Sequence, residues 1–477
     1  MRNIAAAKSD LFAALAPEWN DPGLFAAIQK EIQRSGRKVV VLDDDPTGTQ
    51  TVHDLNILTG WSVERLRTEF AGSDSTFYVL TNSRSVPRDQ AHAMNVEIAT
   101  NLARAARETG REFDIISRSD STLRGHYPAE MDALAETLER ETGTRFDGHI
   151  IIPFFAEGGR FTVNDIHWVQ DGGMLVPAAQ TEYARDPAFG YTSSNLREWV
   201  EEKTAGRHHA ADVVSIPLDV IRRGGPDQVA QILGAVRGGA PVILNCVSYR
   251  DLEVFVAGLL RAEANGRRFL FRAAAGFVKV RGGISDQALL TAPQLYHKGR
   301  STHGGLVVVG SYIQKSSAQL TAVQGLGDVV SVELNVTRIL DPSSRATEIS
   351  SAAQAIDDAI ARGRTGLVFT SRAHVTGGTK DETLRIAQAV SSALVEVVQQ
   401  IQVAPRFVVA KGGITSSDTA TRGLGVQHAR VLGQIAPGVP VWRLEDESRF
   451  PGVPYIVFPG NVGAVETLAQ VVHTLRS

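Results

Sequence analysis

Short apolar runs alternate with amphipathic segments along most of the chain. The runs at residues 37–45, 75–83 and 113–120 each end in polar side chains and predict buried strands. Between the second and third runs, residues 85–110 carry apolar side chains at the helical period and predict a helix. Strand, helix and strand in this order predict parallel pairing within an α/β sheet.

A second series of strand-like runs lies in the C-terminal part of the chain. Residues 381–401 predict one of the helices among them. The strand-like runs are residues 301–312, 328–334, 366–372, 406–413, 428–435 and 455–461.

At 477 residues the chain is too long for one ordinary domain. The pattern predicts two α/β domains, each with a mostly parallel sheet flanked by helices. Little sustained periodicity separates the two series of strands, which favours a linker there. The predicted parts are an N-terminal helical extension at residues 1–35, a first domain at 36–286, a linker at 287–300 and a second domain at 301–477.

Composition narrows the class of protein. Hydrophobic residues make up 43% of the chain and charged residues 21%, with a net charge of −3. This balance favours no nucleic-acid partner and no membrane partner. The first thirty residues do not resemble a secretory signal, which predicts a cytoplasmic protein. Cys246, the single cysteine, excludes an intrachain disulfide and falls in a predicted buried strand. Homo-oligomer formation is left open.

The most unusual segment is the acidic run at the end of the first strand. Asp43, Asp44 and Asp45 follow four apolar residues directly. Adjacent carboxylates repel each other and resist burial, so we expect a metal ion, a cation or a proton-bearing ligand among them. The alternative is a solvated turn that is acidic by the ordinary preference of Asp and Pro for turns.

A second polar loop follows the strand at residues 113–120. Two guanidinium groups with small hydroxyls suit the recognition of a carboxylate or a phosphate. The structural alternative is that Asp120 pairs with one arginine and caps the next helix. Arg160, after Gly158 and Gly159, belongs to a third loop of similar character. The second loop carries Arg118, Asp120, Ser121, Thr122 and Arg124.

The second domain carries glycine-rich transitions from strand to helix. Gly412 and Gly413 follow a strand and precede hydroxyl residues, which is the layout of a phosphate-binding loop. The segments around Ser311 and Gly460 repeat this transition. There is no Walker A sequence and no Gly-x-Gly-x-x-Gly after a strand, which disfavours standard P-loop and dinucleotide-binding proteins.

Five of these segments, in this order, resemble the four-carbon acid sugar kinase family. The resemblance implies an N-terminal domain that binds a sugar acid and a C-terminal domain that binds ATP. It also implies Mg²⁺-assisted transfer of the γ-phosphoryl group to a hydroxyl of a small acid such as threonate, erythronate or 3-oxo-tetronate. The segments are "DDPTG" at 44–48, "SRSDSTLRG" at 117–125, "AEGGR" at 156–160, "VVVGS" at 307–311 and "KGGITS" at 411–416.

The resemblance assigns roles to individual residues. Asp45, preferred over Asp44, would orient or deprotonate the acceptor hydroxyl or contact magnesium. Many members carry an acidic residue where this chain has Ile414, and Asp418 could serve instead. The expected substrate-binding residues are Thr47, Gly48, Arg84, Arg118, Asp120, Ser121, Thr122, Arg124 and Arg160. The expected nucleotide-binding residues are Ser311, Lys411, Gly412, Gly413, Ile414, Thr415 and Gly460.

Two other functions remain as alternatives. The pattern Asp43-x-Asp45-x-Thr47 after a strand is typical of haloacid-dehalogenase-type phosphatases. An apolar residue usually follows the threonine in that family, whereas Gly48 follows it here, and the candidate late acidic pair falls in a predicted helix at residues 357–358. The other alternative is a non-catalytic sensor of sugar acids. Phosphate release without ATP would favour the phosphatase, and binding without turnover would favour the sensor.

Overall fold

A computed structural model divides the chain into two compact units. The first comprises Met1–Thr51 and Gly60–Asp286, and the second comprises Val52–Thr59 and Gln287–Ser477. No helix in the described part of the chain is both long enough and apolar enough to cross a membrane. The structure describes residues 4–296, 301–310, 314–371, 380–460 and 462–477.

The first unit contains a seven-stranded parallel sheet and a small antiparallel sheet. Its strands are β1 (Ala6–Ala7), β2 (Lys38–Asp43), β4 (Thr76–Leu80), β5 (Phe113–Arg118), β6 (Gly148–Ile152), β7 (Arg160–Val163), β8 (Ile166–Asp171), β9 (Met174–Pro177), β10 (Val214–Ile216), β11 (Ala240–Leu244) and β12 (Phe269–Ala273).

The large sheet of this unit has the strand order β10-β11-β6-β12-β5-β2-β4, and all its pairs are parallel. Every residue of β2 is buried, as expected for a strand covered on both faces. In the sheet, β2 pairs with β4 on one side and with β5 on the other, and these are the next two strands of this sheet along the chain. The carboxyl end of β2 is therefore a topological switch point, where ligands bind in open α/β sheets.

The antiparallel sheet has the order β1-β9-β8-β7. Its short strands were not predicted from the sequence. The helices of the first unit are α1 (Lys8–Ala13), α2 (Leu24–Ser35), α3 (Val63–Ala71), α4 (Arg88–Thr109), α5 (Ala129–Thr142), α6 (Leu196–Lys203), α7 (Gly225–Ala235), α8 (Tyr249–Ala264) and α9 (Ala275–Arg281).

Helix α4 confirms the helix predicted at residues 85–110. Pro87 precedes its first turn, and Gly110 ends it in the left-handed conformation with φ of 63°. Ile98 and Leu102 are among the residues that its buried face contributes to the core. The spacing of apolar residues therefore predicted both the helix and the face that packs against the core.

The second unit contains one sheet of eight strands. Their order is β3-β17-β18-β19-β16-β13-β15-β14, with parallel pairs from β19 to β14 and antiparallel pairs from β3 to β19. The strands are β3 (Leu55–Leu58), β13 (Leu306–Val309), β14 (Val329–Leu334), β15 (Thr365–Thr370), β16 (Val408–Lys411), β17 (His428–Ala436), β18 (Val439–Leu444) and β19 (Pro454–Phe458).

Strand β13 is the switch point of this sheet, since β15 pairs on one side of it and β16 on the other. The predicted two-domain α/β architecture is confirmed, with a mostly parallel sheet in each unit. The helices of the second unit are α10 (Ala292–Leu295), α11 (Gln314–Gln324), α12 (Val336–Leu340), α13 (Pro342–Ala361), α14 (Lys380–Gln400), α15 (Gly413–Asp418) and α16 (Thr467–Arg476).

The boundaries of the two units differ from the predicted domain boundaries in two places. Residues 52–59 fall in the second unit because β3 pairs with β17, Leu55 lying opposite Val431. Residues 287–296, predicted as linker, pack on the second unit, where Leu290 and Leu295 belong to its hydrophobic core. Residues 297–300 of that linker lie outside the described residues.

The packing of the predicted linker leads to a stability prediction. Leu290 is 6% exposed, whereas its neighbour Leu289 is 46% exposed. We expect Leu290→Ala to lower the free energy of unfolding by about 2–5 kcal/mol, and Leu289→Ala to leave it nearly unchanged. Calorimetry on both variants measures the difference. Equal behaviour of the two variants would mean that this segment does not pack as described.

Candidate active site

The acidic run lies at the carboxyl end of β2. Asp43 is the last residue of the strand and is fully buried, and Asp44 is 3% exposed. The alternative of a solvated acidic turn is therefore wrong for these two side chains. Burial raises the pKa of Asp43 to about 7 and that of Asp44 to about 6, although nearby arginines oppose the shift.

Two arginines from the neighbouring strands supply positive charge to this run. Arg118 ends β5, and its Nη1 lies 3.0 Å from Asp43 Oδ1 and 3.4 Å from Asp44 Oδ1. Arg84 follows β4, and its Nε lies 3.2 Å from Asp44 Oδ2 while its Nη2 lies 2.7 Å from Asp45 Oδ2. Because β4 and β5 flank β2, their carboxyl ends place the two cations on either side of the carboxylates.

Asp45 begins the turn that follows. Its Oδ1 accepts hydrogen bonds from the backbone N–H of Thr47, at 2.8 Å, and from the Thr47 hydroxyl. Although burial acts in the opposite direction, Arg84 and Arg118 hold the pKa of Asp45 below its ordinary value. Gly48 lies directly over Asp43, because an added Cβ would stand 2.1 Å from Asp43 Oδ2. A side chain at position 48 would collide with the buried carboxylate.

The loop after β5 continues the charged network. Asp120 accepts a hydrogen bond from Arg124 Nε at 2.8 Å and another from the Thr122 hydroxyl, and Arg84 Nη1 lies 3.5 Å from it. Despite burial, Arg84 and Arg124 hold the pKa of Asp120 well below its usual range. The predicted pairing of Asp120 with an arginine is confirmed. Asp120 does not cap α5, whose N-cap residue is Pro128.

Arg272, on β12, supports this loop and was missed in the sequence. It is 3% exposed and donates to Ser119 Oγ and to the carbonyl of Arg124, both at 2.9 Å. Its guanidinium lies over the rings of Tyr127 and Trp199. The available signal was an arginine near the end of an otherwise apolar strand.

His167, on β8, holds the same loop from the other side. Its Nε2 donates to the carbonyl of Ser121 at 2.7 Å, and its Nδ1 accepts from Thr162 Oγ1 at 3.1 Å. The ring is fully buried, and burial lowers the pKa of His167 to about 4. The neutral ring therefore fixes the backbone of Ser121. No sequence pattern indicated a role for this histidine.

In the second unit, the predicted nucleotide loops follow three adjacent strands, β19, β16 and β13. Gly412, with φ of 112°, connects β16 to α15, and Ile414 in the first turn is 62% exposed. Gly310 follows β13 and packs on Thr415, since an added Cβ would stand 2.3 Å from Thr415 Oγ1. Gly413 begins α15 and Gly460 follows β19, whereas Ser311 lies outside the described residues.

Lys411 and Asp418, two polar residues near these loops, form hydrogen bonds with other protein groups. Lys411 is buried, and its Nζ donates to the carbonyls of Pro459 and Gly460 at 2.6 Å and 2.8 Å. Burial lowers the pKa of Lys411 to about 7. Asp418, the suggested substitute for an acidic residue after the glycines, accepts from Ser391 Oγ at 2.6 Å. Lys411 therefore connects the ends of β16 and β19 directly.

The residues expected to contact magnesium do not form a site for that ion. Among the described residues, no three His, Cys, Asp or Glu side chains are grouped so as to hold a metal. The carboxylates of Asp44 and Asp45 instead pair with arginines. No side chain is therefore assigned to Mg²⁺.

A cavity of about 430 Å³ lies elsewhere in the first unit. Phe113 and Asp114, which begin β5, contribute to its lining together with Arg107 and Arg111. It lies at the amino ends of the strands and contains none of the acidic-run residues.

Two known protein domains match most of the chain. Residues 39–281 match the sugar-binding N-terminal domain, and residues 306–468 match the nucleotide-binding C-terminal domain. Relatives that match this chain over most of its length are kinases, and the chain is a phosphotransferase of that class. It belongs to the four-carbon acid sugar kinase family, which confirms the resemblance seen in the sequence.

Two relatives have named activities. A D-erythronate kinase of Heliobacterium modesticaldum is 25% identical over 416 residues, covering 84% of this chain and 83% of the relative. A D-threonate kinase of Cupriavidus necator is 26% identical over 398 residues, covering 80% and 83%.

Two solved structures share the fold. A protein of Salmonella typhimurium has a TM-score of 0.62, and one of Haemophilus influenzae has 0.61, both at 17% identity. Each comparison covers 91% of this chain, with 98% and 99% of the other chains.

The buried neutral His167 predicts a pH dependence of stability. Since its folded pKa of about 4 lies below its ordinary value of 6.5, its contribution is complete above pH 6.5 and is lost as the pH falls towards 4. The loss amounts to at most about 3.4 kcal/mol. We expect His167→Gln, which cannot titrate, to show a shallower fall in unfolding free energy over this range. Parallel curves for wild type and variant would contradict the neutral-ring assignment.

Proposed function

We propose that this enzyme transfers the γ-phosphoryl group of ATP to a hydroxyl of a small sugar acid, with a four-carbon acid as the substrate. Relatives named as D-erythronate and D-threonate kinases support the substrate class. The observation that carries the proposal is Asp44, a carboxylate held between arginines at the switch point of the sugar-binding unit. An ATP-dependent activity screen over four-carbon and related sugar acids tests it.

Asp44 is a better candidate than Asp45 for the carboxylate that accepts the hydroxyl proton. Asp45 accepts two hydrogen bonds from Thr47 at one oxygen, and its other oxygen lies only 2.7 Å from Arg84 Nη2. Asp44 Oδ2 accepts no hydrogen bond within the described residues, although Arg84 Nε lies 3.2 Å away. A pKa of about 6 leaves Asp44 ionised at neutral pH and close to the optimum for a general base.

The proposed reaction forms one bond, breaks one bond and moves one proton. The acceptor oxygen forms a bond to the γ-phosphorus while the bond from that phosphorus to the bridging oxygen of ATP breaks, and the hydroxyl proton passes to Asp44. Arg84 and Arg118 keep the surrounding charge balanced as Asp44 becomes neutral. Phosphoryl transfer depends mainly on such positioning and charge compensation.

The nucleotide is assigned to the second unit. Gly310, Gly413 and Gly460 follow three adjacent strands, where glycine lets backbone N–H groups approach a phosphate. Lys411 supports this site indirectly by joining the ends of β16 and β19. Mg²⁺ is expected to enter as the complex with ATP, because this ion commonly binds through substrate phosphates.

The phosphatase alternative receives no support from the acidic run. Its pattern would make Asp43 the nucleophile, but Asp43 is fully buried, paired with Arg118 and covered by Gly48. The late acidic pair at residues 357–358 lies within α13, as predicted. The sensor alternative differs from the proposal only in turnover, so the activity screen decides between them.

The assignment of the base gives a kinetic prediction. Asp44→Asn should lower kcat by about 10²–10⁴-fold, because the amide cannot accept the proton. Asp45→Asn should lose less than about tenfold, since asparagine also serves as an N-cap for Thr47. In the wild type, kcat/KM should rise with pH through a pKa near 6 as Asp44 ionises.

Steady-state kinetics and melting temperatures on both variants test this assignment. The reverse ranking, with Asp45→Asn nearly inactive and Asp44→Asn active, would make Asp45 the base. Full activity in both would remove the acidic run from the mechanism.

The nucleotide assignment predicts a separate defect. Gly413→Val should weaken ATP binding by at least about tenfold, because the side chain keeps backbone N–H groups away from phosphate. Sugar-acid binding should be retained. Gly327→Val is the matched control, since an added Cβ there meets nothing within 4 Å. Calorimetry showing unchanged ATP affinity in Gly413→Val would place the nucleotide elsewhere.

A further inference from the structure

Five arginines lie at or near the carboxyl edge of the first unit, but they differ in their counter-charges. Three of them pair with aspartates. The other two, Arg160 and Arg272, have no carboxylate partner among the described residues. The five are Arg84, Arg118, Arg124, Arg160 and Arg272.

Arg272 is accounted for by its structural contacts. It is buried against the rings of Tyr127 and Trp199, and it donates to Ser119 Oγ and the Arg124 carbonyl. These contacts hold the loop after β5, as described above. Arg272 therefore needs no ligand to explain its position.

Arg160 is not accounted for in this way. Its Nη1 donates to the carbonyl of Gly158, a contact that supplies no negative charge. Its Nε is buried and has no hydrogen-bond partner within the described residues. A guanidinium left partly desolvated and without a counter-ion is costly unless a ligand completes it.

The backbone of Arg160 is held firmly. Arg160 N–H donates to the carbonyl of Phe155 at 2.8 Å, and Phe155 N–H donates to that of Arg160 at 3.1 Å. The turn between them needs Gly159, which has φ of 70°, and Gly158, where an added Cβ would stand 2.4 Å from the Phe155 ring. Arg160, the first residue of β7, is therefore held in a fixed position.

Arg160 and one arginine of the charged network lie close to the same aromatic ring. The guanidinium carbons of Arg160 and Arg124 lie 5.5 Å and 5.1 Å from the centre of the Tyr183 ring. Arg124 also pairs with Asp120 at 2.8 Å and lies 3.6 Å from Asp186, so its charge is compensated. Of the two cations on this ring, Arg160 is the one that lacks an anion.

We propose that Arg160, backed by the ring of Tyr183, binds the carboxylate of the sugar acid. A guanidinium can stack one face on an aromatic ring while its edge forms paired hydrogen bonds to a carboxylate. This inference rests on the proposed function and moves the carboxylate from Arg118 or Arg124, whose charges are already paired. Tyr183 then becomes a positioning residue, which no sequence motif indicated.

The assignment predicts selectivity between acids and neutral polyols. A four-carbon alditol keeps the three hydroxyls of the acid but has a CH2OH group in place of the carboxylate, so it offers no negative charge to Arg160. The wild type should therefore favour the acid in kcat/KM. The side chain at position 160 should control that preference.

The test compares Arg160→Lys, Tyr183→Phe and Tyr183→Leu with the wild type. Arg160→Lys keeps the charge but loses the paired donors, so the KM for the acid should rise about 10- to 100-fold with kcat changed less than about threefold. Tyr183→Leu should raise KM about two- to fivefold, whereas Tyr183→Phe keeps the ring and should match the wild type. Arg145→Lys, on an 85% exposed arginine of the same unit, is the control.

Acid and alditol kinetics, calorimetric binding of the acid and melting temperatures are measured on each protein. The inference is supported if Arg160→Lys weakens acid binding and narrows the preference for acid over alditol. It is overturned if that variant binds the acid like the Arg145→Lys control, or if only its melting temperature falls. A wild type that binds the acids without ATP-dependent turnover would contradict the proposed function but leave this binding comparison intact. A wild type that binds none of the acids would overturn both.

Discussion

The compensation of three consecutive carboxylates at the end of β2 is the interaction on which the rest of the site depends. Asp43 lies opposite Leu80 of β4 and Arg118 of β5 in the sheet register. This register brings Arg118 to Asp43 and Asp44, while the chain beyond β4 brings Arg84 to Asp44. A shift of either strand by one residue would turn its side chains to the opposite face. Burial of the acidic run therefore requires the correct pairing of all three strands.

The three aspartates have different structural roles in this arrangement. Asp43 fills the space below Gly48 and balances Arg118, while Asp45 caps the following turn. Asp44 retains one oxygen without a hydrogen bond and a pKa of about 6. Without the arginines, burial of three adjacent carboxylates would be unfavourable. With them, the carboxylate of Asp44 is suited to accept a proton.

Local patterns were sufficient for β2, β4 and β5, for α4 and for the two-domain α/β class, but they did not identify β6, β10 or β12. They could not place residues 52–59, since the pairing of Leu55 with Val431 joins distant parts of the chain. The acidic run was evident as a polar cluster, but the preference between Asp44 and Asp45 depended on hydrogen bonds that only the fold creates. Tyr183 carried no local signal, because its importance comes from two arginines on other segments.

A crystal structure of the enzyme with a four-carbon sugar acid and a non-hydrolysable ATP analogue would test the central claim most directly. The account predicts an acceptor hydroxyl within about 3.2 Å of an Asp44 carboxylate oxygen, with the sugar acid at the carboxyl end of β2. A sugar acid bound with every hydroxyl remote from Asp44 and Asp45 would contradict it.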